Sequence, residues 1–386
     1  MEMSSVRLAI LTNILTPYRK FFFDTLNEEL ERRGSSMRVF VMSESEPNRS
    51  WSYSDFQTSY TVLLKSRAFD LKGIYLHINP DLICRIEEYN PTVIVCAGSY
   101  LEPSVLKVLA SKRRLGIPIV FWSESHLQEN KEASELRIRI REAVRRFVYP
   151  RFDAFWIAGK MSLQLIEKYV DQPDSLFVPN LVDPDLYRGQ LHVCTSDIRA
   201  QLHISSDSLV LFTPARLSSV KGLIEFINLL SEVRCSKNID YIIAGEGELR
   251  EEIERLSKEL PINVHLVGQR SENEIAELYA VADYFVMPSL SDPNPLSCVE
   301  ACWSELPLLV SDHVGNYPEL IQQGVNGWVF SYAVREKSVG ILQDAFSQSV
   351  SWRKVAGSVS RKIAMDKYSP VSSCERIVDW LEGLSG

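Results

Sequence analysis

The sequence predicts an α/β protein of two doubly wound domains, each a parallel sheet covered by helices on both faces. Three observations predict it. The chain has 386 residues, and domains usually span about 100–200, so two is the natural count. Short continuous apolar runs alternate with longer amphipathic runs, the pattern of strands buried on both faces with helical crossovers. The alternation also breaks off near residue 183 and restarts near residue 209.

In the first half, Val6 to Leu11 reads as a buried strand and Arg19 to Arg33 as the helix after it. Met37 to Met42, Val93 to Cys96 and Ile117 to Trp122 read as further strands, with a helix over Glu102 to Arg113. Asp183 to about Ser196 is polar and broken, and is read as a linker. In the second half, strands are expected at Leu209 to Phe212, Tyr241 to Ala244, Val264 to Val267, Tyr284 to Met287 and Leu308 to Val310. Helices are expected at Gly222 to Val233, Leu249 to Leu260, Glu272 to Val281 and Leu296 to Ser304. A last helix over Val371 to Leu384 follows Ser369-Pro370. The expected division is 1–190, 191–368 and a terminal helix 369–386 returning to the first domain.

Composition narrows the function. Hydrophobic residues make up 45% and charged residues 24%, ordinary for a globular protein. The net charge of -8 lacks the basic footprint of a nucleic-acid binder. Residues 1–190 hold 25 basic and 24 acidic side chains, and residues 191–386 hold 17 and 26, so an anion bound in the acidic half needs its own local cations. Seven scattered cysteines without a CxxC fit free thiols in a reducing compartment. Cys298 and Cys302 could share a helix face, but no matching His or Cys pair lies nearby, so no metal is expected there. The N-terminus shows no basic-then-apolar signal and no run of 18 apolar residues occurs, so a cytoplasmic protein is the expectation.

Specific motifs then appear in order. Pro214-Ala-Arg-Leu-Ser-Ser-Val-Lys-Gly222 places Arg216 and Lys221 just past a strand. Ile243-Ala-Gly-Glu-Gly-Glu-Leu-Arg250, Val267-Gly268-Gln-Arg, Glu300-Ala301, Leu306 to Ser311, Val314-Gly-Asn-Tyr-Pro-Glu319 and Gly324-Val-Asn-Gly327 follow. Pro91 to Val95, Gly116 to Val120 and Val178-Pro-Asn-Leu-Val-Asp183 fit in the first half. Together these resemble the retaining glycosyltransferases of family four (glycosyl transferases group 1). The resemblance implies GT-B architecture, two Rossmann-like domains facing a central cleft. Three departures stand out. The family's Glu-x7-Glu reads Asp292-x7-Glu300, Pro295 replaces a glycine, and Asn180-Leu-Val-Asp183 replaces Asn-Gly-Val-Asp.

Chemistry gives these residues roles. Fixed cations lower the barrier for a departing nucleotide diphosphate, so Arg216 and Lys221 are the first catalytic candidates. They could otherwise be solvated surface cations. Pro293, Asn294 and Pro295 suit a loop entering a helix, with proline tolerated in its first turn. The N–H groups near Leu296 and Ser297 would then form an anion site. The resemblance implies that Glu300 accepts the ribose hydroxyls and Asp292 those of the donor sugar. It also implies that His126, just past a strand, faces that sugar, with Glu124 a weaker candidate. The plain alternatives are a loop Asp, a solvated helix Glu and a hydrogen-bonded loop His. The backbone around Gln269 and Arg270 would meet the base. Gly245-Glu-Gly-Glu-Leu-Arg250 lacks the third glycine of a dinucleotide fingerprint and is read as a turn beside the nucleotide, with Glu246 near it. Thr16, Tyr18 and Arg19 follow the first strand where relatives carry a glycine loop, so an acceptor-side role or an ordinary helix start is expected. Asp183-Pro-Asp185 is read as linker, not as a metal-binding DxD. Leu136 to Val148 is arginine-rich and amphipathic. It either packs on its sheet, the simpler expectation, or docks on anionic lipid.

The function expected is retaining transfer of a hexose, with UDP-glucose the donor, to a saccharide or lipid-linked acceptor in polysaccharide or glycoconjugate biosynthesis. No cofactor and no metal are expected, and no nucleic acid. Any membrane contact would be peripheral, at the inner face. A nucleotide-sugar epimerase of the same fold and a non-catalytic nucleotide-sugar-binding subunit are the rivals, the latter motivated by Asp292 and Pro295.

Overall fold

The computed structural model describes residues 5–46, 52–71, 74–126, 135–188, 195–260 and 262–385. The chain forms two compact units, Met1–Leu181 with Pro370–Gly386, and Val182–Ser369.

The first unit carries strands β1 (Arg7–Thr12), β2 (Ser36–Val41), β3 (Thr61–Leu63), β4 (Arg67–Leu71), β5 (Ile74–Ile78), β6 (Val93–Ala97), β7 (Ile119–Ser123), β8 (Ala154–Ile157) and β9 (Ser175–Phe177). Seven make one parallel sheet in the order β3-β2-β1-β6-β7-β8-β9, while β4 and β5 form a separate antiparallel hairpin. Alternation along the strands explains the two covered faces. Leu8, Ile10, Val39, Val95 and Trp122 face a core with the Pro17–Arg32 helix. Ala9, Leu11, Phe40, Ile94 and Phe121 face the opposite core. The Pro370–Ser385 helix belongs to the first of these, burying Cys374, Ile377, Val378 and Leu381. Arg33 secures it with ion pairs to Asp379 (2.5 Å) and Glu382 (3.5 Å).

The second unit carries β10 (Leu209–Pro214), β11 (Ile239–Ala244), β12 (Asn263–Gly268), β13 (Tyr284–Met287), β14 (Leu308–Ser311) and β15 (Gly327–Phe330). They form a six-stranded parallel sheet in the order β12-β11-β10-β13-β14-β15. In both sheets the order reverses beside the first strand, between β1 and β6 and between β10 and β13. Doubly wound sheets bind ligands at such points, outside the carboxyl ends of the strands.

Several expectations need correction. The helix expected over Glu102 to Arg113 divides at Ser111 into Pro103–Ala110 and Lys112–Leu115. The strand expected from Ile117 begins at Ile119, after Pro118, which cannot donate to the ladder. The stretch read as linker from Asp183 opens with a short helix, Pro184–Arg188, whose Asp185 N–H donates to Asp183 Oδ1 at 2.9 Å. Residues 189–194 lie outside the described residues, as does Cys194. Leu136 to Val148 does form a helix, Glu135–Val148, but it packs only its C-terminal end, with Val144 and Val148 against the core. Of its apolar residues only Val148 is fully buried, while Leu136, Ile140 and Phe147 are 68%, 56% and 63% exposed.

Candidate functional site

In the second unit, the segment after β10 turns through Ser219–Lys221 and left-handed Gly222 (φ 63°) into the Leu223–Leu230 helix. A Cβ on Gly222 would lie 2.2 Å from the Pro288 carbonyl oxygen, so only glycine lets this turn meet the segment after β13. The two segments are joined by Leu290 N–H donating to Val220 O at 2.9 Å. Lys221 Nζ crosses the switch point to Asp292 Oδ2 at 2.5 Å, with both side chains mostly buried. The two residues expected to bind diphosphate and sugar therefore bind each other. Arg216 is exposed and forms no ion pair with the described residues.

The 288–295 loop is pinned from its other side. Asp292 N–H donates to His313 O (3.3 Å), and Gly315 N–H donates to Asp292 O (2.8 Å). Asn316 Nδ2 donates to Asn294 Oδ1 (3.1 Å) and Pro295 O (3.0 Å). The Leu296–Trp303 helix then starts, with Pro295 as its N-cap in extended conformation. Pro293 and Pro295 thus precede the first turn instead of occupying it, which places Leu296 and Ser297 at the helix entrance, where amide hydrogens lack intrahelical partners.

Glu300, one turn further on, is more constrained than a solvated helix Glu. Tyr279 Oη lies 2.8 Å from its Oε2, and Tyr187 also hydrogen-bonds its carboxylate. Loss of water around the carboxyl raises its pKa above the ordinary range, and the two tyrosines act against that rise. Burial likewise raises Cys298 well above a free thiol, and both Cys298 and Cys302 lie in the core.

Glu246 and Gln269 lie past β11 and β12, toward the sheet edge. Glu246 pairs with Arg250 at 3.1 Å, and Arg270 with Glu274 at 2.8 Å. Gly245 (φ 148°) brings the β11 turn against the β10 segment, since a Cβ there would lie 2.0 Å from Ala215 O. The structure thus gathers Lys221, Asp292, Asn294, Pro295, Leu296 and Ser297 at the switch point, with Glu300 inside the helix. Glu246, Gln269 and Arg270 flank them.

The first unit has a pocket of ≈160 Å³ at its own switch point, lined by Asn13, Thr16, Tyr18, Arg19, Gly98 and Glu124 among others. Thr16 caps the Pro17–Arg32 helix, its Oγ1 accepting from Arg19 N–H at 3.4 Å. Arg19 is buried, stacks on Trp122 with its Cζ 3.8 Å from the ring centroid, and pairs with Glu124 at 3.2 Å. Glu124 also accepts from Asn180 Nδ2 at 2.8 Å. The helix start is therefore observed, and the same residues line the pocket. His126 is buried beyond β7 and is not among the residues lining this pocket. Sequence reasoning gave no role to Asn13, Tyr187, Tyr279 or Asn316. Asn180 lay inside a recognised motif, and the structure adds its hydrogen bond to Glu124.

Comparison with known proteins bears on the fold and on family likeness. Residues 195–347 match the family model for glycosyl transferases group 1. A Campylobacter jejuni enzyme, GalNAc-alpha-(1->4)-GalNAc-alpha-(1->3)-diNAcBac-PP-undecaprenol alpha-1,4-N-acetyl-D-galactosaminyltransferase, is 25% identical over 231 residues, 59% of this chain and 58% of its own length. The alpha-galactosylglucosyldiacylglycerol synthase of Streptococcus pneumoniae is 24% identical over 183 residues, 45% of this chain and 48% of its own. The chain thus spans about half the length of these sequence relatives. Among solved structures, Anabaena Alr3699/HepE in complex with UDP and glucose superposes with a TM-score of 0.71 at 15% identity, covering 98% of this chain and all of that one. The fold is GT-B, two Rossmann-like parallel-sheet units.

Proposed function

We propose that the protein is a glycosyltransferase that moves a hexosyl group from a nucleoside-diphosphate sugar to a hydroxyl of a saccharide or lipid-linked acceptor. The observation that carries this reading is the Lys221–Asp292 pair, which bridges the second unit's switch point beside a helix entrance. In the proposed reaction the bond between the anomeric carbon and the β-phosphate oxygen breaks. The acceptor hydroxyl attacks from the same face, and its proton passes to the departing phosphate oxygen. Arg216, Lys221 and the amides of Leu296 and Ser297 balance the charge gained by the diphosphate, so no metal ion is required. Asp292 orients the sugar, Glu300 takes the ribose hydroxyls, and Glu246, Gln269 and Arg270 border the base, while a role for His126 toward the sugar is carried over from the family resemblance alone. Thr16, Tyr18 and Arg19 line the acceptor side. UDP-glucose is the donor carried over from the family resemblance. Retention of anomeric configuration is likewise part of the proposal.

The names of the two relatives support a lipid-linked acceptor, one being built on undecaprenol and the other on diacylglycerol. The exposed apolar stripe of the Glu135–Val148 helix, flanked by Arg137, Arg139, Arg141 and Arg146, suits peripheral contact with an anionic bilayer.

The test is a thermal-shift panel of nucleotide sugars in chelator, followed by turnover with any stabilising donor and by NMR of the product's anomeric proton. Bound ligand raises the apparent stability by mass action. Replacing Arg216 and Lys221 together by alanine should abolish both the shift and turnover. If donor affinity and turnover survive that double change, the reading is wrong.

A further inference from the structure

Tyr187 and Tyr279 come from different parts of the second unit. Tyr187 lies in the Pro184–Arg188 helix, and Tyr279 in the Glu272–Val281 helix. Both are buried, and their rings meet edge to face with centroids 5.8 Å apart. Tyr279 is wedged further by Phe212, at 5.0 Å, so its ring cannot swing away. Their hydroxyls converge on one group, the Glu300 carboxylate. Tyr279 Oη also lies 3.0 Å from the Ser297 carbonyl oxygen, which ties the same contact to the first turn of the helix.

A bare buried carboxylate is costly, and two tyrosine donors offset that cost. They also use its acceptor capacity selectively. A carboxylate offers about four lone-pair sites. Two are taken by the hydroxyls of Tyr187 and Tyr279. Two remain, and Glu300 as a residue is only partly buried. That leaves room for two further donors held a fixed distance apart, as in a vicinal diol.

We infer that Tyr187 and Tyr279 are positioning residues that orient the Glu300 carboxylate to accept both ribose hydroxyls of a nucleoside diphosphate, making the second unit selective for ribo- over 2′-deoxyribonucleotides. The inference rests on the proposed donor site. Neither tyrosine needs to touch the nucleotide. Their effect is to stop the carboxylate from rotating, so that losing one ribose hydroxyl leaves an acceptor unsatisfied.

The experiment compares UDP with 2′-deoxy-UDP by titration calorimetry on the full chain, with GDP and 2′-deoxy-GDP in parallel. The variants are Tyr187→Phe, Tyr279→Phe and Glu300→Gln. Wild type should prefer the ribonucleotide. Each tyrosine change should lower that preference about three- to tenfold, as expected for loss of one hydrogen bond to a charged group, while affinity for the deoxynucleotide stays constant. Glu300→Gln should lower it at least as much. Constant deoxynucleotide affinity separates lost orientation from lost folding. If UDP binds and its preference over 2′-deoxy-UDP is the same in wild type and both tyrosine variants, the clamp has no positioning role, although the donor site stands. A loss of equal size for both nucleotides refutes it too, because that is a structural effect. If wild type binds none of the four, the proposed function fails and the clamp falls with it.

Discussion

Replacing Asp292 by asparagine should make the protein bind free nucleoside diphosphate more tightly while turning over more slowly. Lys221 Nζ is 2.5 Å from Asp292 Oδ2, with side chains 25% and 13% exposed. At an effective dielectric of about 20, two unit charges at that separation attract by about 7 kcal/mol gross. Removing both ions from water offsets most of this, and a partly buried charged hydrogen bond leaves a net of about 1–2 kcal/mol. A diphosphate that recruits Lys221 must first break that pair. An asparagine at this position would keep the shape and withdraw the competing charge, so UDP affinity should rise about 5- to 30-fold. UDP-glucose should gain less, because the sugar loses its carboxylate partner. Lys221→Met should weaken UDP. Titration calorimetry with UDP and UDP-glucose, in chelator, reads all three. Unchanged or weaker UDP binding by Asp292→Asn would refute the idea that the acid and the phosphate compete for one lysine.

Three further outcomes follow from other parts of the fold. Gly245→Ala should cost about 2–4 kcal/mol in urea unfolding, because φ is 148° and the new methyl would overlap the Ala215 carbonyl oxygen; a loss under about 1 kcal/mol would show that the turn relaxes. Asp240 is buried against His265 at 2.7 Å. Burial alone would raise its pKa, but hydrogen bonds from His265 and Ser208 outweigh this and lower it. Its contribution to stability is therefore complete above the usual carboxylate value of about 4 and fades as pH falls through the lower folded value. Asp240→Asn should cost about 1–3 kcal/mol at pH 7, and the gap from wild type should narrow only in that acid window; a gap that does not depend on pH argues for packing instead. Replacing Leu136 and Phe147 with aspartate should abolish co-sedimentation with phosphatidylglycerol vesicles and leave the melting temperature unchanged, since both side chains are exposed. If wild type sediments no better with those vesicles than with phosphatidylcholine alone, the lipid contact is excluded.

The sheets were legible because strands such as Leu8 to Leu11 and Tyr241 to Ala244 are apolar without interruption, a pattern set by burial on both faces. Short strands were not. β3 and β9 have only three residues each, and Ser175–Phe177 carries no run long enough to stand out. The β4–β5 hairpin escaped notice because one of its strands reads Arg-Ala-Phe-Asp-Leu, polar enough to pass for loop. At the site, motif spacing located Lys221, Asp292 and Glu300, because each belongs to a segment that follows a strand end. It could not find Tyr187 and Tyr279, which lie 113 and 21 residues before Glu300 and reach it only through the packing of three helices. Nor could it show that Lys221 and Asp292 would neutralise each other, since 71 residues separate them.

The two units share one pattern of strand reversal, yet their switch points differ in what they can hold. In the second, Gly222 and Gly245 let the loops approach to backbone contact, and a helix entrance lies alongside. Amides and a lysine crowded into so small a space favour a compact polyanion. In the first, the corresponding turn is Thr16-Pro-Tyr-Arg19, with no glycine and a side-chain cap that consumes a helix amide. Its arginine is already balanced by Glu124 and flattened on Trp122. A phosphate would have to displace that carboxylate, whereas a sugar hydroxyl could bond to Glu124 or Asn13 without disturbing it. On the proposed reading, the same topology separates charge from hydroxyl recognition by loop chemistry alone. Arg19→Ala should consequently impair use of acceptor and leave UDP affinity within about twofold of wild type, since a change that spares the second unit's cations removes no phosphate contact. A loss of UDP binding on that substitution would place part of the diphosphate site in the first unit and overturn the division.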